Sequence, residues 1–305
     1  MGYHSSTEKK MNEYICSICP RNCRAVRSSD TGEGVCSSGT LPRIARAALH
    51  FGEEPCISGT RGSGTVFFTG CNLHCVYCQN EEISREGSDA GKTVSIERLR
   101  EIFKELRDQG AHNINLVTGA HYITAISKAL EKDPGIPVVY NSGGYEKPES
   151  LRLLKGKVNI FLPDFKYALS SVAEKYSCAP DYPKVALAAI KEMYDQVGPV
   201  EIDDEGILKK GVLIRHLILP NNVFNTLRVM DLIEENFDPS TIMFSLMSQY
   251  TPMEGVPAEL SRPVSEEEYG ICEQYLLESS LENGFLQDLS SATEEMIPKF
   301  DLTGV

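Results

Sequence analysis

No stretch of this 305-residue sequence approaches the roughly 18 continuous apolar residues of a membrane-spanning helix, so no membrane association is expected. The opening segment, MGYHSSTEKKMNEYI, lacks the apolar core of a secretory signal peptide. No N-x-S/T glycosylation acceptor occurs. These absences point to a cytoplasmic setting, where cysteines stay reduced. No Lys/Arg run stands out and the formal net charge is −13, which disfavours nucleic acid as a partner. There is no long internal repeat and no low-complexity tract. What remains, 41% apolar and 24% charged residues, is an ordinary globular composition. The length suits one large α/β domain with smaller attachments.

Cysteine is plentiful by contrast. Ten cysteines invite disulfides, metal ligation or buried apolar filler. Seven of the ten fall in two tight groups, Cys16/Cys19/Cys23/Cys36 and Cys71/Cys75/Cys78. That spacing favours metal ligation over a disulfide framework.

Residues 1–60 show little helical periodicity and are rich in Cys, Gly, Ser and Arg, which predicts a metal-binding N-terminal extension. From 61 to 255 strands and helices alternate. The strands are read at SGTVFFTG (63–70), NINLVTG (113–119), PVVYNSGG (137–144), VNIFLPDFKY (158–167), GVLIRHLILPN (211–221) and TIMFSLMSQY (241–250). The helices are read at 95–110, 121–133, 148–156, 182–198 and 223–236. Residues 256–305 are read as a C-terminal extension, helical around 265–283 and then irregular. Such alternation predicts an α/β fold with a parallel sheet, open or curled into a barrel. Functional residues should then lie at the carboxyl ends of the strands. Cys71, Thr118-Gly119, Asn141-Ser142, and Asp164 with Lys166 do follow or end successive strands.

GCNLHCVYCQN (70–80) places thiols at i, i+4 and i+7 in a turn-rich loop. A [4Fe–4S] cube takes one thiolate per iron. A loop supplying three leaves the fourth iron open, much as a catalytic zinc keeps an exchangeable position. The alternatives are a zinc loop completed by His74 or Cys56, or plain buried thiols.

C-x3-C-x2-C with an aromatic before its last cysteine, here Tyr77, resembles the radical SAM superfamily. The resemblance implies a partial (β/α)6 barrel over roughly 61–255 and S-adenosylmethionine (SAM) chelated to the open iron. An electron from the reduced cluster then breaks a sulfur–carbon bond, giving methionine and a 5′-deoxyadenosyl radical that abstracts hydrogen from a substrate. The motif order TGCNLHCVYCQN, VVYNSGGYE, FLPDFKY, LIRHLILPN and LMSQYTP is similar to the pyruvate formate-lyase activating enzyme group, especially its PflX-like branch. This implies a glycyl radical enzyme, or another protein substrate, as partner, with flavodoxin or ferredoxin as electron donor.

By motif position, Asn141 and Ser142 replace an Asp-Thr pair that, with the aspartate matched by Asp164, helps form a monovalent-cation site beside SAM. Lys166 and Arg215 match basic residues near the SAM carboxylate and the substrate, and Tyr77 lies on the adenine side. Gln249-Tyr250 stand where a Tyr-His pair ends the last strand. Thr118-Gly119-Ala120-His121 replaces the Gly-Gly-Glu that holds SAM's amino group, leaving backbone carbonyls or His121 to accept that bond. Rival substrates are a different peptide, an RNA base or a metabolite. A rival of another class is a non-catalytic metal-binding scaffold.

The flanking residues admit structural readings too. Asp164 and Lys166 share a face and could be a structural ion pair. Arg215 and His216 face opposite sides of their strand; Arg215 is expected inward, paired with a carboxylate, and His216 packed outside. Tyr145 and Glu146 either close over a substrate or cap the following helix. The N-terminal pattern C-x2-C-x3-C-x12-C suits a zinc ion or an auxiliary iron–sulfur cluster, and spacing does not separate the two.

Overall fold

Short β-branched and aromatic runs supply the strands at the centre of the protein, because a sheet covered on both faces needs apolar residues throughout rather than alternation. The computed structural model describes residues 14–85, 90–291 and 298–305; most of the polar opening segment, residues 1–13, lies outside them. The principal strands are β1 (Arg43–His50), β2 (Ser63–Phe68), β3 (Ile114–Val117), β4 (Val138–Ser142), β5 (Ile160–Pro163), β6 (Leu208–Leu217), β7 (Met243–Met247) and β8 (Gly284–Leu286). Strands β2 to β5 are buried along their whole length.

These strands lie side by side in chain order. Neighbours from β2 to β8 are parallel, and β1 runs antiparallel to β2. A doubly wound sheet would reverse its order at a switch point. Here the order never reverses, which is the winding of a barrel, and the path keeps two free ends. The fold is a partial (β/α)6 barrel.

Between the strands run α1 (Ile96–Asp108), α2 (Ile123–Ala129), α3 (Ser170–Ser177), α4 (Tyr182–Val197), α5 (Val223–Asn236) and α6 (Glu266–Glu278). Helix α1 shows the logic most plainly. Ser95 caps it by accepting from the Arg98 N–H, and Leu99, Ile102, Phe103 and Leu106 form the one stripe it buries. Each such side chain contributes roughly 1.5–3 kcal/mol of burial. No helix among the described residues is long and apolar enough to cross a membrane.

Three elements depart from the sequence reading. Strand β1 belongs to the main sheet although it falls within residues 1–60. Helix α3 occupies a segment read as loop. Strand β8 adds a short parallel edge beyond the six expected strands. The chain then returns to β1, where the Leu302 N–H donates to the Ala45 carbonyl, the Ala47 N–H donates to the Thr303 carbonyl, and Asp301 pairs with Arg46 at 2.9 Å.

Candidate active site at the carboxyl rim

The loop after β2 carries Cys71, Cys75 and Cys78 into a cleft at the carboxyl ends of the strands. Two backbone features shape it. Gly70 has φ +91°, and a Cβ there would meet the Ser38 Oγ at 2.5 Å and the Cys36 carbonyl at 2.8 Å. His74, between the first two thiols, adopts φ 55°, a conformation that costs a non-glycine residue energy and persists only where surroundings enforce it. Each sulfur is met by a donor. The Leu73 N–H reaches Cys71 Sγ at 3.3 Å, Ser177 Oγ reaches Cys75 Sγ at 3.1 Å, and Ser84 Oγ reaches Cys78 Sγ at 3.3 Å. Burial pushes the Cys71 thiol up and the Cys78 thiol up to about 12, and the neighbouring thiols add to both.

Facing the thiols across the cleft is a charged network drawn from four strands and one loop. Lys166 Nζ pairs with Asp164 Oδ2 at 2.6 Å. Arg215 uses all three guanidinium nitrogens, Nε to Asp164 Oδ1 at 2.9 Å, Nη1 to Glu53 Oε2 at 2.9 Å, and Nη2 to Asn141 Oδ1 at 2.7 Å. Glu53 Oε1 accepts from Asn115 Nδ2 at 2.9 Å and from Asn141 Nδ2 at 3.2 Å. Burial opposes charge on Lys166, Arg215 and Asp164 alike. The mutual pairing outweighs it, holding both cations above and Asp164 below their ordinary values. Burial raises the pKa of Glu54, beside Glu53, against the pull of Arg215.

The radical SAM superfamily model matches residues 65–238, more than half of the chain and all of β3 to β6. The chain belongs to the radical SAM superfamily. The uncharacterized protein MJ0674 of Methanocaldococcus jannaschii is 32% identical over 250 residues, covering 78% of this chain and 66% of that protein. Streptococcus suis SuiB bound to the precursor peptide SuiA aligns with a TM-score of 0.50 at 13% identity, over 74% of this chain and 49% of SuiB. SuiB in a second crystal structure aligns with a TM-score of 0.50 at 13% identity, over 75% of this chain and 50% of SuiB. The SuiB likeness concerns the fold. The chain spans 66% of the length of MJ0674 and about half that of SuiB.

Membership of the radical SAM superfamily implies a [4Fe–4S] cluster and SAM, and the thiol loop fits the cluster. The three sulfurs line one cleft, and each has a hydrogen-bond donor. Their hydrogen-bond donors suit thiolates, whose cluster potentials respond to such contacts.

The structure brings most of the sequence-derived set to this cleft. Tyr77, Thr118, Asn141, Ser142, Asp164, Lys166, Arg215 and Gln249 line it with the three cysteines. Tyr77 is buried edge-on to Tyr167, Tyr176 and Tyr250. Gly119 and His121 are not among the lining residues. Gly119 packs toward Ile126, and the His121 Nε2 pairs with the Thr69 carbonyl at 2.8 Å. Burial lowers the His121 pKa to about 3. His216 faces away, bonded to the Phe165 carbonyl and Thr226.

Asn141 and Asp164, matched to a monovalent-cation site by the resemblance, are both engaged by the Arg215 guanidinium, so a fixed cation of the chain stands between them. The sequence reading missed Glu53. It lies in a loop without a motif, and only an acidic pair directly before Pro55 could have drawn attention to it.

Glu146 accepts from Ser142 Oγ at 2.8 Å, while its Oε1 is buried without a partner. Burial pushes its pKa from 4.5 up to about 7. The folded state therefore holds an extra proton between those values. The resulting stability is complete below about pH 4.5 and is lost as pH rises through about 7, a change of about 3 kcal/mol. Urea unfolding from pH 4.5 to 8 should show this decline in the wild type and a flatter profile in Glu146→Gln. Identical slopes would remove Glu146 as the source.

Proposed function

We propose that this protein reductively cleaves SAM and abstracts a hydrogen atom from a peptide backbone carbon, in the manner of glycyl-radical-enzyme activators. The observation that carries the first half is three donor-supported thiols facing the Lys166–Asp164 pair across one cleft. Cys71, Cys75 and Cys78 would hold a [4Fe–4S] cluster, which when bound would supply the electron for reductive cleavage of SAM. The chain's own residues do the remaining work. Lys166 offers an ammonium for the SAM carboxylate, and Tyr77 and Gln249 shape the cleft wall.

The peptide half is supported by the order of strand-end motifs. The reading includes a flavodoxin- or ferredoxin-type donor and a cytoplasmic location. The test is anaerobic. Reconstituted protein with dithionite and SAM should release 5′-deoxyadenosine, and a candidate glycyl radical enzyme should then acquire the doublet of a glycyl radical in electron paramagnetic resonance. Iron-loaded protein that leaves SAM intact would defeat the cleavage reading. SAM cleavage without any protein-borne radical would defeat the peptide reading alone.

A further inference from the structure

Arg21 lies in the N-terminal segment between Cys19 and Cys23, outside the lining of the cleft. Cys16 and Cys19 are buried there, Cys36 is partly so and Cys23 is exposed. The segment is docked on the barrel. The Ser17 carbonyl accepts from Lys147 Nζ at 2.9 Å, and the Ile18 carbonyl accepts from Ser150 Oγ at 2.6 Å. The Arg21 guanidinium lies over the Tyr145 ring, 5.2 Å from its centroid, a cation–π contact with the loop after β4.

From that position the guanidinium commits all three nitrogens to backbone carbonyls of two distant segments. Nε donates to the Asn72 carbonyl at 2.8 Å and Nη2 to the Leu73 carbonyl at 3.1 Å, both inside the thiol loop. Nη2 also reaches the Ser177 carbonyl at 2.7 Å, and Nη1 reaches the Cys178 carbonyl, at the carboxyl end of α3. Carbonyls at a helix end lack partners within the helix and form the negative pole of its dipole, so a cation is favoured there.

Each of those two segments donates to a sulfur of the loop. The Asn72 carbonyl and the Leu73 N–H belong to one peptide group, and that N–H donates to Cys71 Sγ at 3.3 Å. Ser177 donates through its Oγ to Cys75 Sγ at 3.1 Å. A cation on the oxygen of a peptide polarises its N–H, so hydrogen bonds in such a chain strengthen one another. Arg21 therefore bears on Cys71 Sγ through a single peptide unit. Arg24, three positions on, is exposed, where water screens its charge. The potential of an iron–sulfur cluster follows the net charge around it and the hydrogen bonds to its sulfurs.

We propose that Arg21 is a positioning residue that raises the reduction potential of the cluster held by Cys71, Cys75 and Cys78, acting through the Asn72–Leu73 peptide. The inference rests on the reading of that loop as a [4Fe–4S] site.

The test is a redox titration of the full-length protein, reconstituted anaerobically, with dithionite and mediator dyes. It follows the reduced-cluster electron paramagnetic resonance signal that C71S/C75S/C78S lacks. At the wild-type midpoint, the ratio of reduced to oxidised cluster in Arg21→Met should fall about tenfold, the scale of one charge-assisted hydrogen bond. For a one-electron couple that is a shift of about 59 mV. Arg21→Lys keeps the charge without the planar fork and should recover part of the shift. Arg24→Met removes an equal charge and should leave the midpoint unchanged.

An unmoved midpoint in iron-loaded Arg21→Met would overturn the proposal and leave Arg21 a structural clamp. An equal shift in Arg24→Met would overturn it too, because the effect would then be one of general charge. If Arg21→Met takes up no iron, Arg21→Lys decides: a smaller shift in the same direction supports the proposal and none overturns it. Wild-type protein without any signal that depends on the loop cysteines would sink the cluster reading and this proposal together. A wild-type signal with an unmoved variant midpoint sinks this proposal alone.

Discussion

Replacing Arg215 with methionine is expected to destabilise the fold by about 3–5 kcal/mol, because it removes one partner from a buried ion network and leaves the others uncompensated. Arg215, Glu53 and Asp164 retain only 13%, 8% and 17% of their side-chain exposure, so solvent cannot replace the lost partner. Glu54 lies 3.8 Å from the same guanidinium and would lose its nearest positive charge. Equilibrium urea unfolding measures the cost. Adding Glu53→Gln to the methionine variant should recover part of the loss, because one of the stranded carboxylates becomes neutral. A single variant within about 1 kcal/mol of the wild type would mean that the network relaxes around the gap, and the buried-charge account would fail.

The second large effect concerns Lys166. Its ammonium has Asp164 as its paired carboxylate and lines the cleft beside the loop thiols. Lys166→Met should leave the iron content of the loop unchanged while weakening SAM binding about 10- to 100-fold, the worth of one charge-assisted hydrogen bond. Calorimetric titration of the iron-loaded variant with SAM gives the comparison. Lys166→Arg should recover some affinity. Unchanged SAM affinity in the methionine variant would reduce the Lys166–Asp164 pair to a structural ion pair at the rim.

Much of this was written in the sequence in physical terms that could be read. The apolar runs of β2 to β7 and the buried stripe of α1 depend on local pattern, and local pattern is what periodicity detects. Asp164 and Lys166 could be placed because two residues on a strand end share a face. Arg215 could be placed because a guanidinium in an apolar strand needs a carboxylate.

The identity of that carboxylate was not readable. Glu53 meets Arg215 across 162 positions, through a turn whose residues have no periodicity. Strand β1 hid for a similar reason: RIARAALH interrupts its apolar residues with arginine and histidine, which the returning tail and Phe67 accommodate in three dimensions. Strand β8 has three residues, too few for any pattern, and owes its existence to the edge of β7. His121 was drawn toward SAM by its place after β3. The one-turn 3-10 segment Ala120–Tyr122 instead turns its ring toward Thr69.

The amide at position 141 donates to Glu53 and accepts from Arg215 in one plane of contacts. An aspartate there could still accept from the arginine, but it would set a second anion against Glu53 at hydrogen-bonding range. Aspartate at 141 together with glutamate at 53 is therefore expected to be rare among relatives, and an alignment deep enough to show covariation checks this.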